Sequence, residues 1–561
     1  MSLTKVTYAM IEGSPANVLD FGAKGDGSTD DTAAIQLALD SLTDGGELYF
    51  PPGTYMVSKG TSAYALTPQD KTTLSGVRTA SVIKLKTAGA DCAIFGNAAS
   101  TTEITFNGLT FDGNSSVLTS ILSYGLNFPY IGTLTVTDCT FQSFTKDGIL
   151  VGLTTRCDWL TVEKCAFQTI DSNGIRHYNT RKLYVDDCRF FDFVTSAIDG
   201  NYLTVYNEET DVTITNNYFK NDSLNWLSGN STISLLGDRN YCANNVILGG
   251  GQIDVHSTSA RSPLHDYRII GNSIQDTVTS AIVVNTDVNA DIIVANNYIR
   301  NAAGSGIYVL SIAAPPYTNT YPTTITGNII EDASAETYTA TNQPSCIRIA
   351  QTSNVLVANN QCITPRWAGI SAQSGCNNIN IQNNSIIGQQ GVAPTNELTN
   401  AGGAIVVSQS GVSYASNVTN IVISSNFVYN FLTSQAPITN LRCGGIVVYN
   451  DTSGSETVDN VTITNNIVRL GNGIGIQTYK ILTSRIDGNT ITQTTTPIVD
   501  TSSITLAVNS TNGFYSAAPT TGTWVIGTII YNSAPASAGF VGWVCTASGT
   551  PGTWKTFGLI S

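Results

Sequence analysis

The hexamer VTITNN occupies residues 212–217 and recurs letter for letter at 461–466. Aligned on its second asparagine, related segments run along most of the chain: LTVTDC (134–139), LTVEKC (160–165), LYVDDC (183–188), YRIIGN (267–272), IIVANN (292–297), TTITGN (323–328), VLVANN (355–360), INIQNN (379–384), IVISSN (421–426) and SRIDGN (484–489). A spacing of mostly roughly 23 to 32 residues is a solenoid signature. Each repeat alternates apolar and polar residues with period two, turns a polar corner, and enters a second short apolar strand such as AIVV, GIYV or GIVV. That pattern is too strand-rich for helical repeats and lacks the leucine-rich motif. Hairpin dipeptides do not recur between the strands and propeller blade signatures are missing, which sets aside a sandwich or propeller.

The predicted fold is all-β: a right-handed parallel β-helix in which each repeat is one rung. Asparagine suits the corner because it tolerates the left-handed backbone region and because stacked amides bond one another from coil to coil. Three early rungs place Cys139, Cys165 and Cys188 where later ones place asparagine. With 11 cysteines, no CxxC and no metal spacing, these read as reduced, buried, compact hydrophobes rather than a disulfide or zinc framework. A hydrophobic fraction of 42% supports a real core, and a net charge of −14 would repel nucleic acid and anionic membranes. No apolar run approaches the roughly 20 residues of a membrane span. The first residues also lack the basic and apolar regions of a signal peptide.

The ends differ from the repeat. Residues 1–17 read as an entry segment, 18–58 as an N-terminal cap, 59–503 as the β-helix and 504–561 as a small C-terminal β-module. The cap holds the one good helix, with Asp30 or Asp31 as its N-cap, an apolar face of Ala33, Ile35, Leu37, Ala38 and Leu39, and a Gly-Gly stop. Such a helix plugs the open first coil, whose edge otherwise invites aggregation. Asp26, Asp30 and Asp31 also invite a calcium reading, but a cap with a solvated turn explains them without an EF-hand pattern. The stretch NVLDFGAKGDGSTDDTAAIQLALD followed by GGELYFPPGTY resembles the N-terminal signature of the pectate-lyase-like β-helix superfamily. VTYAMIEGSPANVLDFGA and the C-terminal GTWVIGTIIYNSAP through GTWKTFGLI are similar to segments of bacteriophage tailspike depolymerases. The resemblance implies a homotrimeric virion protein, joined to a phage tail or baseplate through an upstream N-terminal region, that acts outside the bacterium on capsular polysaccharide or O-antigen. The abrupt opening MSLTKVTYAMIEG agrees with such a region lying upstream. Outward Val406, Val447, Tyr449 and Tyr479 form an apolar stripe that a threefold neighbour would cover.

Chemistry is sought on the second strand of each repeat. Isoleucine fixes its register: Ile149, Ile175, Ile198, Ile233, Ile253, Ile282 and Ile307 point inward, so the next residue points out. The outward positions then bunch Arg176, Tyr178, Asp199, Asn201, Asp254 and His256 on four consecutive coils of a chain with three histidines. Asp199 and Asp254 lie two coils apart, on the order of 10 Å between backbones at roughly 4.8 Å per rung. Leaning side chains bring the carboxylates into the roughly 6.5 to 9.5 Å range of inverting glycosidases. The plain alternative is an Asp199–Arg176 surface pair, common and nearly worthless energetically. Glu208 and Glu209, in the loop after Asp199, are substitute catalysts. A lyase reading uses Tyr178 or His256 as base and Arg176 to steady a uronate. His177 alternates inward and His265 reads as a loop residue. Trp226, Trp367 and Tyr308 are candidates for stacking on sugar rings. No metal or cofactor is expected. The competing function is a non-catalytic glycan-binding adhesin or spike, because fold does not dictate function.

Overall fold

The computed structural model describes residues 14–561 except 61, 87–90, 98, 202–209, 222–229, 237, 256–265, 287–290, 312–319, 334–344, 366, 389–401, 410–415, 430–442, 451–455, 472, 495, 502–503, 509–513, 521–523, 525 and 550. Two compact units divide the chain, residues 1–273 and 274–561. Both are built from right-handed β-helical coils, each coil giving one strand to each of three parallel sheets.

In the first unit one coil runs through Cys157–Glu163, Ala166–Ile170 and Ile175–Tyr178, and the next through Thr180–Asp186, Arg189–Phe193 and Ile198–Asn201. Rungs pair in register, Leu160 opposite Leu183, Phe167 opposite Phe190 and Ile175 opposite Ile198. Period-two alternation therefore stacks like on like, and the inward isoleucines, leucines and phenylalanines are buried along the coil axis. On the second sheet Phe111, Phe141, Phe167, Phe190 and Phe219 form an internal column of stacked rings, with successive centroids 4.9, 4.9, 4.6 and 4.8 Å apart.

The corner between the first and second sheets is a ladder. The Cys139 and Cys165 amides each donate to the next cysteine sulfur at 3.4 Å. The Cys188 amide donates to Asn217 Oδ1 at 2.9 Å, and Asn217 in turn donates both its backbone N–H and its side-chain amide to Asn245 Oδ1. Asn245 belongs to the coil of NYCANN, a rung that the alignment above passes over. The left-handed conformation sits one residue earlier than expected: Asp138, Lys164, Asp187, Asn216 and Asn244 carry the positive φ. The two asparagines of VTITNN thus divide the work, the first turning the chain and the second filling the ladder. The ten cysteines whose side chains are described are free and buried, and burial pushes the Cys157 thiol up to about 12.

At the N-terminal end the helix Thr32–Asp40 buries Ile35, Ala38 and Leu39, while Leu37 is 58% exposed and Ala33 is also exposed. The apolar face is narrower than its sequence suggests because the helix lies on the coil edge with one flank in water. Asp30 accepts from the Thr32 amide at 3.1 Å, whereas Asp31 turns away to the amides of Lys24 and Gly25. Asp26 accepts from Ser28 and Thr29, whose amide is the largest cause holding its carboxyl well below the usual range. Each of these three aspartates is thus committed to backbone donors. The strands Gly46–Phe50 and Gly53–Val57 already pair with Thr72–Gly76 and Ser81–Leu85, so regular coils begin inside the 18–58 segment.

The second unit repeats the plan. Its ladder runs Asn297, Asn328, Asn360, Asn384, Asn426, Asn466, Asn489, each backbone amide donating to the next Oδ1 at 2.9 to 3.0 Å. Ile504–Val508 pairs in parallel with Thr483–Asp487, so coil structure continues past residue 503. Beyond it Phe514–Tyr515, Ile529–Asn532, Phe540–Ala547 and Thr553–Leu559 make a small sheet, with two antiparallel pairings, beside a Trp524–Trp554 edge-to-face contact. The outward stripe is a correction: Val406, Val447 and Tyr449 are 2% exposed or less, packed with Ala368 and partly buried Tyr479 within one copy of the chain. Val406, Val447 and Tyr449 therefore form no exposed stripe.

Candidate active site

The site is built on the outer face of the third sheet of the first unit. Ile149, Ile175, Ile198, Ile233 and Ile253 are fully buried, as the register argument requires. Leu150 pairs with Arg176, Arg176 with Asp199, and Ser234 with Asp254, while Ile198 pairs with Ile233, so one outward row runs Leu150, Arg176, Asp199, Ser234, Asp254. The strands enter this sheet through a tight corner. At Gly174 a Cβ would lie 2.7 Å from the Ala197 carbonyl oxygen, which explains the Gly-Ile start.

Arg176 sits between two carboxylates. Its Nε is 3.4 Å from Asp199 Oδ2 and its Nη1 3.5 Å from Asp147 Oδ2, with Nη2 donating to Ser172 at 3.3 Å. Asp147 is fully buried and accepts from the amide and side chain of Asn173 at 3.1 and 2.9 Å. Asp199 keeps a quarter of its side chain exposed, and Asp254, half-buried, accepts from Ser231 Oγ at 3.4 Å. Tyr124 joins the cluster from the preceding coils: burial first, then the negative charge of Asp147, pushes its phenol above the ordinary value. Tyr178 is half-buried and pairs in register with Asn201.

The structure thus brings Arg176, Asp199 and Asp254 onto one row and adds Tyr124 and Asp147, which sequence reasoning missed. Asp147 was findable: KDGI at 146–149 and SNGI at 172–175 place Asp147 and Asn173 at the same corner, one charged and one neutral. Glu208, Glu209, His256, Trp226 and His265 lie outside the described residues, as does the Asn201 side chain. Tyr308 belongs to the second unit, where the Arg348 guanidinium lies 4.5 Å over its ring. His177 points inward and is 3% exposed; burial lowers it to about 4, too low for a base or acid near neutral pH. Among the described residues no cluster of three His, Cys, Asp or Glu side chains is placed to hold a metal.

Coils giving one strand each to three parallel sheets, with an asparagine ladder at one corner and a helix at the first coils, define a right-handed parallel β-helix. Residues 16–121 match the family model described as rhamnogalacturonase A/epimerase, pectate lyase-like. Mannuronan C5-epimerase AlgE6 of Azotobacter vinelandii is 41% identical over 109 residues, 18% of this chain and 12% of that protein. A probable glucan endo-1,3-beta-glucosidase of Arthroderma benhamiae is 52% identical over 62 residues, 9% of this chain and 7% of that protein. The matches therefore span only a small part of these relatives. Among solved structures, the N-terminal fragment of bacteriophage Phi29 gene product 12 aligns over 88% of each chain at 17% identity and a TM-score of 0.40. The AlgE6 A-module aligns over 86% of this chain and 99% of its own at 17% and 0.28. Likeness at this level carries no inference about chemistry.

Proposed function

We propose that the chain is a phage tailspike that binds and depolymerises bacterial surface polysaccharide by glycosidic hydrolysis, with Asp199 and Asp254 as the catalytic pair. The observation that carries the reading is the outward row of Arg176, Asp199, Ser234 and Asp254, which sets two carboxylates two rungs apart over a small serine. A small serine between the two carboxylates suits inversion, which needs space for a sugar oxygen and a water. The guanidinium beside Asp199 is a partner for a carboxylate, so Asp199 takes the base role and Asp254 the acid. The match to a polysaccharide-family model over residues 16–121 agrees with a glycan substrate. A homotrimer on a phage tail rests on the resemblance of the chain's ends.

Elimination is the weaker chemistry. It needs a cation at liberty to steady a uronate carboxylate, and Arg176 already lies between Asp147 and Asp199. A pure adhesin has no use for two carboxylates held two rungs apart on one outward row. Spotting the protein on lawns of capsulated bacteria and analysing the digested polysaccharide separates the three. New reducing ends without ultraviolet-absorbing unsaturated sugars are expected. Unsaturated ends would make the protein a lyase, and binding without new ends an adhesin.

A further inference from the structure

A second feature of the first unit lies on a different sheet. The outward residues of the second sheet form two rows. One runs Thr110, Thr140, Ala166, Arg189 and the other Asp112, Gln142, Gln168, Phe191. Between Val82 and Arg189 the first row is small for three rungs, and a cavity of about 650 Å³ lies over it. Four rungs give it a floor of about 15 Å, the reach of a short oligosaccharide.

Its walls have the chemistry of sugar recognition. Gln168 Nε2 donates to Gln142 Oε1 at 3.0 Å and Gln142 Nε2 to Asp112 at 3.0 Å, so the amides form one oriented chain held at its far end by Lys84, 3.2 Å from Asp112. Phe191 offers a half-buried ring, braced by Tyr218 with centroids 5.8 Å apart. Arg78 is occupied by Asp138 at 2.6 Å. Lys164 stands on the corner column between Asp138 and Asp187. Arg189 has no ion-pair partner among the described residues and is exposed at the groove's end. Its planar fork of donors matches a carboxylate. The groove thus gathers three cations against two carboxylates in a chain of net charge −14.

We infer that this groove is a second, non-catalytic glycan site that holds a short acidic oligosaccharide segment, with sugar hydroxyls on Gln142 and Gln168, a ring face on Phe191 and a carboxylate on Arg189. The inference rests on the reading that the chain engages polysaccharide, and it adds a holding site away from the Asp199–Asp254 row.

Isothermal titration of the full chain with uronic-acid tetramers (galacturonate and mannuronate) and with neutral maltotetraose tests it. At least one acidic tetramer should bind more tightly than maltotetraose. Arg189→Glu should weaken it at least tenfold and Ala166→Trp, which fills the floor, should abolish it, both with unchanged melting temperature. Asp199→Asn and Asp254→Asn should leave it intact. Binding of neither acidic tetramer, equal binding of the neutral one, or loss through the aspartate variants instead would overturn the site. A change of molecular mass in the groove variants with tetramer binding unaltered would also overturn it, assigning the face to contact between copies. Groove binding without any depolymerisation would remove the proposed function and leave the site standing, and depolymerisation without groove binding would do the reverse.

Discussion

His177 shows how a single residue sets a pH limit on this fold. It is aimed inward beside Gly200, where a Cβ would lie 3.1 Å from its Nε2, and that nitrogen has no hydrogen-bond partner among the described residues. Burial lowers its titration from 6.5 to about 4. Above pH 6.5 the folded and unfolded chains are both neutral at this position. As pH falls from there the unfolded chain takes the proton and the native one does not, so stability drops until the native form also protonates near 4. The expected loss is on the order of 3 kcal/mol. Urea unfolding at pH 7 and pH 4.5 should show His177→Gln losing less stability on acidification than the parent; equal losses would contradict the account. Residue-level legibility was uneven for a physical reason. Strand alternation placed His177 inward and Asp199 and Asp254 outward from sequence alone. Asp147 and Tyr124 enter from a corner and a neighbouring coil, where no period-two rule fixes direction.

Two columns hold the coils together at the scale of the element, one of amides and thiols and one of rings. In the first, each asparagine accepts from the rung before it and donates to the rung after it, so removing one leaves donors orphaned in the core. Asn217→Ala should cost about 1 to 3 kcal/mol through the unpaired Cys188 amide. In the second, Phe167 stacks on Phe141 and Phe190 at 4.9 and 4.6 Å, and Phe167→Ala should cost about 3 to 5 kcal/mol. Denaturant midpoints measure both, and either variant matching the parent would show that its column is packing filler. The asparagine column was readable because it recurs at one place in every repeat. The phenylalanine column was equally periodic in TF, AF, RF and YF, but a two-residue signal is visible only once the ladder fixes the alignment. The narrowed face of the capping helix was not readable, since Leu37 satisfies helical periodicity whether or not a neighbour covers it.

For the whole molecule, the sequence announced the solenoid but misjudged what covers the outside. Val406, Val447 and Tyr449 alternate outward as expected and yet are buried within one copy, and covering by the rest of a chain leaves no periodic trace. The trimer therefore rests on resemblance alone, and light scattering should give roughly three times 59.4 kDa. A monomer at micromolar concentration would remove the spike reading. Residues 504–561 contain no Asp, Glu or His, so general acid-base chemistry has no carrier there. Truncation after Val508 should lower assembly or melting temperature; an intact trimer that loses only catalysis would contradict this. The most direct test of the central claim is the rate of reducing-end release by Asp199→Asn and Asp254→Asn, each of which keeps size while removing the titrating group. Depolymerisation should fall by roughly 10² to 10⁴ in each variant with glycan binding and melting temperature little changed. Full activity in both variants would contradict the assignment and move catalysis off the Asp199–Asp254 row.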